Sequence, residues 1–133
     1  MSAPAVRVYQ SPELHDGGFA HGAVAAAGAT LFTAGISPLD AGGALVSPHD
    51  AAAQTRCALG NLDEVLAAGG AAADTVAKLT VYVASTRRED LGAVWQIVDQ
   101  WWPTTPPTIV IGVTVLPYEG QLVEVEAVAA VRL

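Results

Sequence analysis

Two glutamates near the C-terminal end of the chain are the strongest candidates for chemistry. Glu124 and Glu126 stand two residues apart within the apolar segment 123–127. Because side chains alternate along a strand, this spacing places both carboxylates on one face, about 7 Å apart. A carboxylate beside a cleft can orient a water molecule or take its proton. The alternative is the solvated face of an amphipathic strand, which carries no chemistry.

The strand predicted before these glutamates has one small and mildly polar face. That face consists of Thr108, Val110, Gly112 and Thr114. The alternate positions hold the branched residues Ile109, Ile111, Val113 and Val115. Small side chains on one face leave room for a pocket or for a neighbouring subunit.

The histidines and the single cysteine are weaker candidates. His15, Asp16 and His21 could converge on a metal ion, but they lie in a glycine-rich segment without zinc-finger or helical spacing, so solvated loop residues are expected. Cys57 falls within a predicted helix and is expected to be a small buried side chain rather than a nucleophile. The common phosphate-binding, dinucleotide-binding and nucleophile motifs are missing from the sequence.

Three tryptophans cluster between residues 95 and 102. Trp101 continues a helical apolar stripe, so packing against the core accounts for it. Trp95 lies at a position from which it could reach the edge of a sheet, although core packing also accounts for it.

Two helices are predicted to support these residues. Ser47 as the N-cap and Pro48 in the first turn begin the first helix, which ends at Gly69-Gly70. Its apolar face consists of Thr55, Leu59, Leu62 and Leu66, while Gln54, Asn61, Asp63 and Glu64 lie elsewhere. A capping box of Thr86 and Glu89 begins the second helix, which ends before Pro103.

The remaining segments read as strands. Residues 23–27 and 30–35 predict an early hairpin around a Gly-Ala pair, and residues 75–84 alternate as a strand does. Residues 108–115 and 122–131 predict a pair of strands joined by a short loop. This order predicts an α+β sandwich with a mixed β-sheet and two helices packed on one face.

Composition limits the partners of the chain. Its 133 residues predict a single domain, residues 1–133, and only 14% of them are charged against 52% hydrophobic, so some apolar surface should meet another subunit. The net charge is −7 and Lys78 is the only lysine, which argues against nucleic acid as a partner. One cysteine, no signal peptide and no membrane span make the cytoplasm the expected location.

Several segments, taken together in order and spacing, resemble one known family. They are Phe19-Ala20-His21, residues 33–38, residues 54–69, residues 76–81, Leu116-Pro117 and residues 123–129. The chain resembles the RidA family, also called YjgF or L-PSP, over residues 19–132.

The resemblance implies a chorismate-mutase-like α+β subunit that assembles as a homotrimer, with the sheets forming an inner barrel and clefts lying between subunits. Members hydrolyse reactive enamines and imines to a keto acid and ammonia without a cofactor. Glu124 matches the glutamate that positions the attacking water, and the backbone of Gly35 matches a wall of the cleft. The resemblance gives Glu126 a structural role.

The chain departs from the family at three cleft positions. Thr108, in Pro106-Pro107-Thr108-Ile109, stands where the family has an arginine that binds the substrate carboxylate. Phe19 stands where the family has a tyrosine, and Trp95 stands where the family has an asparagine. These changes predict a more apolar cleft and little or no activity on 2-iminopropionate.

Two interpretations remain. In the first, the protein is an enzyme that adds water to an imine, enamine or similar intermediate, with Glu124 acting on the water, Thr108 and Gly35 bonding the ligand, and Phe19 and Trp95 as apolar walls. In the second, the protein binds a small ligand or a protein through the same clefts without catalysis. A ribonuclease is disfavoured by the acidic charge balance.

Overall fold

The elements of the chain follow from a computed structural model, which describes residues 4–131. In chain order they are the strands β1 (Val6–Tyr9), β2 (Gly22–Ala25) and β3 (Thr30–Phe32), the helix α1 (Ala51–Ala68), a 3-10 turn (Ala73–Thr75), the strand β4 (Val76–Ala84), the helix α2 (Arg88–Trp101), and the strands β5 (Thr108–Val113) and β6 (Val123–Ala130).

The main sheet has four strands in the order β3-β6-β4-β5. Strand β5 runs parallel to β4, whereas β6 runs antiparallel to both β4 and β3. Both helices pack on one face of this sheet, where the side chains of Leu79, Val81, Val123 and Val125 are buried with the apolar stripe of α1. The predicted α+β class, mixed sheet and one-sided helix packing are therefore confirmed.

The opposite face of the sheet, here called the open face, is not covered by any helix within residues 4–131. Its side chains are those of Phe32, Lys78, Thr80, Tyr82, Ile109, Ile111, Glu124, Glu126 and Val128. Phe32 is 74% exposed, and Ile109 and Ile111 are also exposed. Apolar side chains of this size concentrated on one exposed sheet face are typical of an interaction surface.

The predicted early hairpin is wrong. Strand β2 pairs with β1 in a separate two-stranded sheet, and β3 pairs with β6 across the chain. The alanine-rich segment 23–27 offers little side-chain surface to a cross-strand partner, whereas Val6 and Val8 on β1 do. Strand β1 itself was not predicted.

The predicted pairing of the last two strands is also wrong. Strands β5 and β6 do not pair with each other, because β4 lies between them. The segment β4-α2-β5 is a crossover unit that places two strands in parallel, and β6 then adds to the free side of β4. The segment between β5 and β6, residues 114–122, crosses over the end of β4.

Both helices begin later than the sequence predicts. Helix α1 is capped by Asp50, whose Oδ1 accepts a hydrogen bond from the Ala53 N–H at 3.0 Å, and Ser47 takes a positive φ of 43° instead of capping. Helix α2 begins at Arg88. Ser85 rather than Thr86 bonds its first turn, since Ser85 Oγ donates to Asp90 Oδ2 at 2.7 Å. The C-terminal end of α1 at Gly69-Gly70 is as predicted.

Within residues 4–131, neither helix is long and apolar enough to cross a membrane.

Candidate functional site

A pocket of about 400 Å³ opens where helix α2 meets the edge strand β5. We call it the apolar pocket. It is lined by Phe19, Leu91, Gly92, Trp95, Thr108, Ile109 and Val110. None of these side chains ionises, and the polar side-chain groups among them are the Thr108 hydroxyl and the Trp95 indole N–H. Three of the predicted site residues, Phe19, Trp95 and Thr108, therefore come together.

An aromatic pair forms one wall of the apolar pocket. The rings of Phe19 and Trp95 meet edge to face, with centroids 5.6 Å apart and an interplanar angle of 85°. The Gln10 side-chain amide donates to the Phe19 carbonyl at 2.9 Å, which fixes the loop that carries this ring. Trp95 is half-buried against the core and also lines the pocket, so both interpretations of this residue hold.

The single hydroxyl of the apolar pocket is already a donor within the chain. Thr108 Oγ1 donates to the Pro106 carbonyl at 2.8 Å. A hydroxyl has one hydrogen and two lone pairs, so the oxygen that remains available to a ligand is an acceptor.

The carboxylate of Glu124 lies in a second place, on the open face. Its Oε1 accepts a hydrogen bond from Ser37 Oγ at 2.8 Å, and Ser37 Oγ accepts one from Gln121 Nε2 at 2.9 Å. Because the amide can only donate at this nitrogen, the single hydroxyl hydrogen of Ser37 goes to the carboxylate. Glu124 is thus held in a fixed orientation by a serine that sequence reasoning did not select.

Gly35 makes this arrangement possible. A Cβ atom at Gly35 would lie 2.9 Å from Glu124 Cδ, which is too close for a carbon–carbon contact. The absence of a side chain therefore lets the carboxylate lie directly against the backbone of residue 35. The structure brings these two predicted site residues together.

Two side-chain amides of α1 hold the loops around this carboxylate. Asn61 Nδ2 donates to the carbonyls of Ser37 and Leu39 at 3.1 and 3.0 Å. Gln54 is fully buried, and its side chain bonds the carbonyls of Ser47 and Gly120. The sequence placed both amides off the apolar face of α1. The signal that could have identified them is their spacing of seven residues, which puts both on one side of the helix.

Glu126 is committed to a different partner. Its carboxylate accepts a hydrogen bond from the Tyr82 hydroxyl at 2.5 Å. This bond, together with burial and the charges of Glu126 and Glu124, raises the pKa of Tyr82 above its ordinary value. Glu124 and Glu126 lie on one face of the strand, as predicted, but of the two only Glu126 accepts a hydrogen bond from a tyrosine.

The two groups of predicted residues do not meet within one chain. Thr108 pairs with the buried Leu79 and so faces the helices, whereas Glu124 pairs with Tyr82 and faces the other way. The apolar pocket reaches the edge of the sheet at Ile109, which also belongs to the open face. Within one chain, the two groups therefore form two separate places.

The histidine segment forms a loop anchor. His21 Nδ1 accepts a hydrogen bond from the Ser11 N–H at 2.9 Å, and His21 Nε2 bonds the backbone carbonyl of His15 at 2.9 Å. Asp16 bonds the Gly18 N–H. Among the residues that the structure describes, no group of three or more His, Cys, Asp or Glu side chains is placed to hold a metal ion.

Cys57 is half-buried on α1, and burial raises the pKa of its thiol above the ordinary value. A thiol in this state is a poor nucleophile at neutral pH.

Comparison with known proteins gives one family. The family model described as endoribonuclease L-PSP matches residues 13–131. A protein of unknown function of the conserved Rid family, YyfB from Yersinia pestis, is 32% identical with a TM-score of 0.86, and the match covers 96% of this chain and 99% of that one.

Two further solved structures have the same fold. YyfA of the Rid family, also from Yersinia pestis, is 28% identical with a TM-score of 0.69, covering 96% of this chain and 100% of that one. NMB1025 from Neisseria meningitidis, a member of the YjgF family, is 21% identical with a TM-score of 0.65, covering 96% and 95%. Comparison with curated proteins gives no significant match.

Proposed function

The chain belongs to the L-PSP family, also called the RidA or YjgF family, and from this premise we propose that it catalyses the addition of water to an imine, enamine or similar reactive intermediate. Membership of this family supports a role in processing or binding a small molecule. The reaction type, the active residue and the assembly are our proposal.

The observation that carries the proposal is the hydrogen bond from Ser37 to Glu124. It orients one carboxylate oxygen and leaves the other to bond a water molecule. Glu126, two residues along the same strand, likewise has one oxygen bound, by Tyr82, but only Glu124 also lies against the backbone of Gly35, which the family resemblance makes a wall of the cleft. Glu124 is therefore the carboxylate that we assign to the water.

The complete site would lie between subunits of a homotrimer. The open face and the apolar pocket meet at the edge strand β5, where Ile109 and Ile111 are exposed. A neighbouring copy at this edge would bring its own Glu124 toward the apolar pocket of the first copy. This arrangement would also cover the apolar side chains of the open face, which favours association.

The chemistry needs no bound cofactor. Glu124 accepts a proton from water as the water oxygen bonds to the imine carbon, and returns this proton to the nitrogen to give the carbinolamine. Glu124 then carries the hydroxyl proton of the carbinolamine to the nitrogen as the C=O bond forms, the C–N bond breaks and ammonia leaves. The net reaction is R₂C=NH plus H₂O giving R₂C=O plus NH₃. The backbone at Gly35 and the Thr108 oxygen would hold the ligand while Phe19 and Trp95 exclude water from its apolar part.

The substrate should differ from amino-acid imines such as 2-iminopropionate. No arginine or lysine lines the apolar pocket, so a ligand carboxylate would lose its water without gaining a cation. Removing such a charge-paired contact typically costs several kcal/mol. We therefore expect little or no turnover of 2-iminopropionate.

The decisive experiment compares Glu124→Gln with Glu126→Gln, a matched change two residues away on the same face. Imines are generated in the assay mixture by an amine oxidase or an amino-acid oxidase. Their hydrolysis is measured as the decrease in the imine that reacts with semicarbazide. We expect the native chain to accelerate hydrolysis of at least one imine and Glu124→Gln to lower that rate about a hundredfold without changing Tm. Glu126→Gln should keep most of the rate.

Equal rates in the native chain and Glu124→Gln would remove Glu124 from the mechanism. No acceleration for any imine would favour the second candidate, a member that binds a small ligand without catalysis. That candidate is favoured by one observation, the lack of any ionisable side chain in the apolar pocket.

The word endoribonuclease in the name of the family model is not carried over to this chain. RNA binding relies on cations that neutralise phosphates, whereas the net charge here is −7. Arg87, one of the few cations, is paired with Glu89 at 3.0 Å.

A further inference from the structure

The Thr108 hydroxyl presents an acceptor rather than a donor to the apolar pocket. Its hydrogen is used by the Pro106 carbonyl at 2.8 Å, and Pro106 is buried. A ligand that needs a donor from Thr108 would leave that carbonyl without its hydrogen bond. Leaving a buried acceptor unpaired is costly, so the oxygen of Thr108 presents its lone pairs to the ligand.

The surroundings of Thr108 favour the same kind of ligand. The faces of the Phe19 and Trp95 rings beside it attract N–H groups and cations, while the edge of Trp95 carries one neutral donor, its indole N–H. The ionisable group one turn further along α2 from Trp95 is Asp99, an acid whose Oδ1 accepts a hydrogen bond from Thr105. The chain as a whole carries a net charge of −7, which attracts cations and repels carboxylates.

Resting on the proposed function, we infer that the substrate is an N–H donor without a carboxylate, namely the imine or iminium ion of a primary amine. Its N–H would donate to Thr108 Oγ1, and its hydrocarbon part would fill the space between Leu91 and the aromatic pair. Hydrolysis of such an aldimine, RCH=NH plus H₂O, gives RCHO and NH₃. The reaction that supplies it is the two-electron oxidation of a primary amine.

One cation near the pocket requires a direct control. Arg88 begins helix α2 four residues before Gly92, on the side of the helix that leads to the apolar pocket. It is exposed and does not line the pocket. If its side chain folded over the opening, it would bind a carboxylate and reverse the expected preference.

Binding of three compounds that share a phenylalkyl group tests the inference without requiring turnover. They are 2-phenylethylamine as the donor, 3-phenylpropionate as the anionic acceptor and 4-phenylbutan-2-one as the neutral acceptor, each titrated by calorimetry into the full chain. We expect the amine to bind at least about tenfold more tightly than either acceptor, since a polar site rejects ligands that leave it unpaired.

Variants at one position then identify the cause. Thr108→Val keeps the shape of the side chain but removes the oxygen, and it should reduce the preference for the amine to less than about threefold. Thr108→Ser keeps the oxygen and should keep the preference. Thr108→Arg should reverse it, with 3-phenylpropionate now binding more tightly than the amine.

Several results would overturn the inference. The first is that 3-phenylpropionate binds the native chain as tightly as the amine or more tightly. The second is that Arg88→Gln loses the binding of 3-phenylpropionate, and the third is that Thr108→Val keeps the full preference for the amine. Turnover is measured separately on imines from 2-phenylethylamine and from phenylalanine. Amine-selective binding without any turnover would contradict the proposed function alone, whereas faster turnover of the phenylalanine imine would contradict the choice of substrate alone.

Discussion

The carboxylate of Glu124 rests against a backbone position that has no side chain. Gly35 does not take a positive φ, so the need for glycine comes from space rather than from backbone conformation. The short distance is to the end of a flexible side chain, which can move away. Gly35 therefore matters for the orientation of Glu124 far more than for the stability of the fold.

Gly35→Ala should accordingly separate function from stability. The added methyl group displaces the carboxylate from Ser37, so turnover of a responsive imine should fall at least about tenfold. The free energy of unfolding should fall by less than about 1 kcal/mol, because the neighbouring side chain can rotate. Urea unfolding and the imine assay measure the two effects; Gly42→Ala, in an exposed loop, serves as the control. A large loss of stability with full activity would contradict this assignment.

Glu126 gives the Tyr82 hydroxyl an unusual titration. The hydrogen bond to Glu126 raises the pKa of Tyr82, which means that the folded chain holds the phenolic proton more tightly than the unfolded chain does. The stabilisation is complete below the ordinary tyrosine pKa and is lost as the pH rises through the raised value. Stability should therefore fall in the alkaline range above about pH 10.

Glu126→Gln should lower the pKa of Tyr82, because the amide removes the charge but keeps an oxygen that can accept the bond. Phenolate absorbance in the near ultraviolet follows the titration, and Tyr82→Phe identifies which of the three tyrosines is responsible. The same midpoint in Glu126→Gln and the native chain would show that the carboxylate does not control this group.

At the level of single residues, sequence reasoning selected the aromatic wall and the two glutamates but not the groups that orient them. The spacing of Glu124 and Glu126 was sufficient because strand alternation is a local property. Ser37 and Gln121 were not identified because they lie 84 residues apart in the chain and meet only through the tertiary fold.

Helix α1 acts at the level of elements by binding two loops at once. Gln54 donates to the Ser47 and Gly120 carbonyls at 3.0 Å each, and its Oε1 accepts the Leu122 N–H at 2.7 Å. This one side chain therefore joins the loop before α1 to the loop before β6. The loop before β6 carries Gln121, which bonds Ser37.

Gln54→Ala should destabilise the chain by about 2–4 kcal/mol, because it leaves buried backbone groups without partners. Gln96→Ala, an exposed change on α2, is the matched control and should change stability by less than about 0.5 kcal/mol. Urea unfolding monitored by tryptophan fluorescence measures both. Similar midpoints for the two variants would show that the Gln54 bonds contribute little.

Element types were easier to predict from sequence than element partners. The apolar spacing of α1 and α2 and the β-branched segments gave both helices and the last three strands. The error at the early hairpin arose because the alanine-rich strand β2 carries no information about whether β1 or β3 is its neighbour. The order of β4, β5 and β6 likewise depends on a crossover that no local pattern records.

The whole molecule has one sheet face covered by helices and one exposed. Phe32 on β3 and Ile109 on β5 place exposed apolar side chains at both edges of the exposed face, and Val128 on β6 is half-buried there. Only 14% of the residues are charged, so much of the surface has no charge that must stay in water. We expect the open faces of three copies to pack together, as the resemblance to the RidA family implies.

Light scattering on the native chain should accordingly give about three times the 13.6 kDa mass of one chain. Phe32→Glu places a charge on the most exposed apolar side chain of the open face and should yield a folded monomer at micromolar concentration. Val65→Glu, on the exposed side of α1, makes the same change on the opposite side of the molecule and should leave the mass unchanged.

The monomeric variant should also lose imine turnover, because the apolar pocket would no longer meet the Glu124 of a neighbour. A native chain that is an active monomer would place the complete site within a single chain, whereas a Phe32→Glu variant that keeps the trimeric mass would show that the open face does not hold the subunits together.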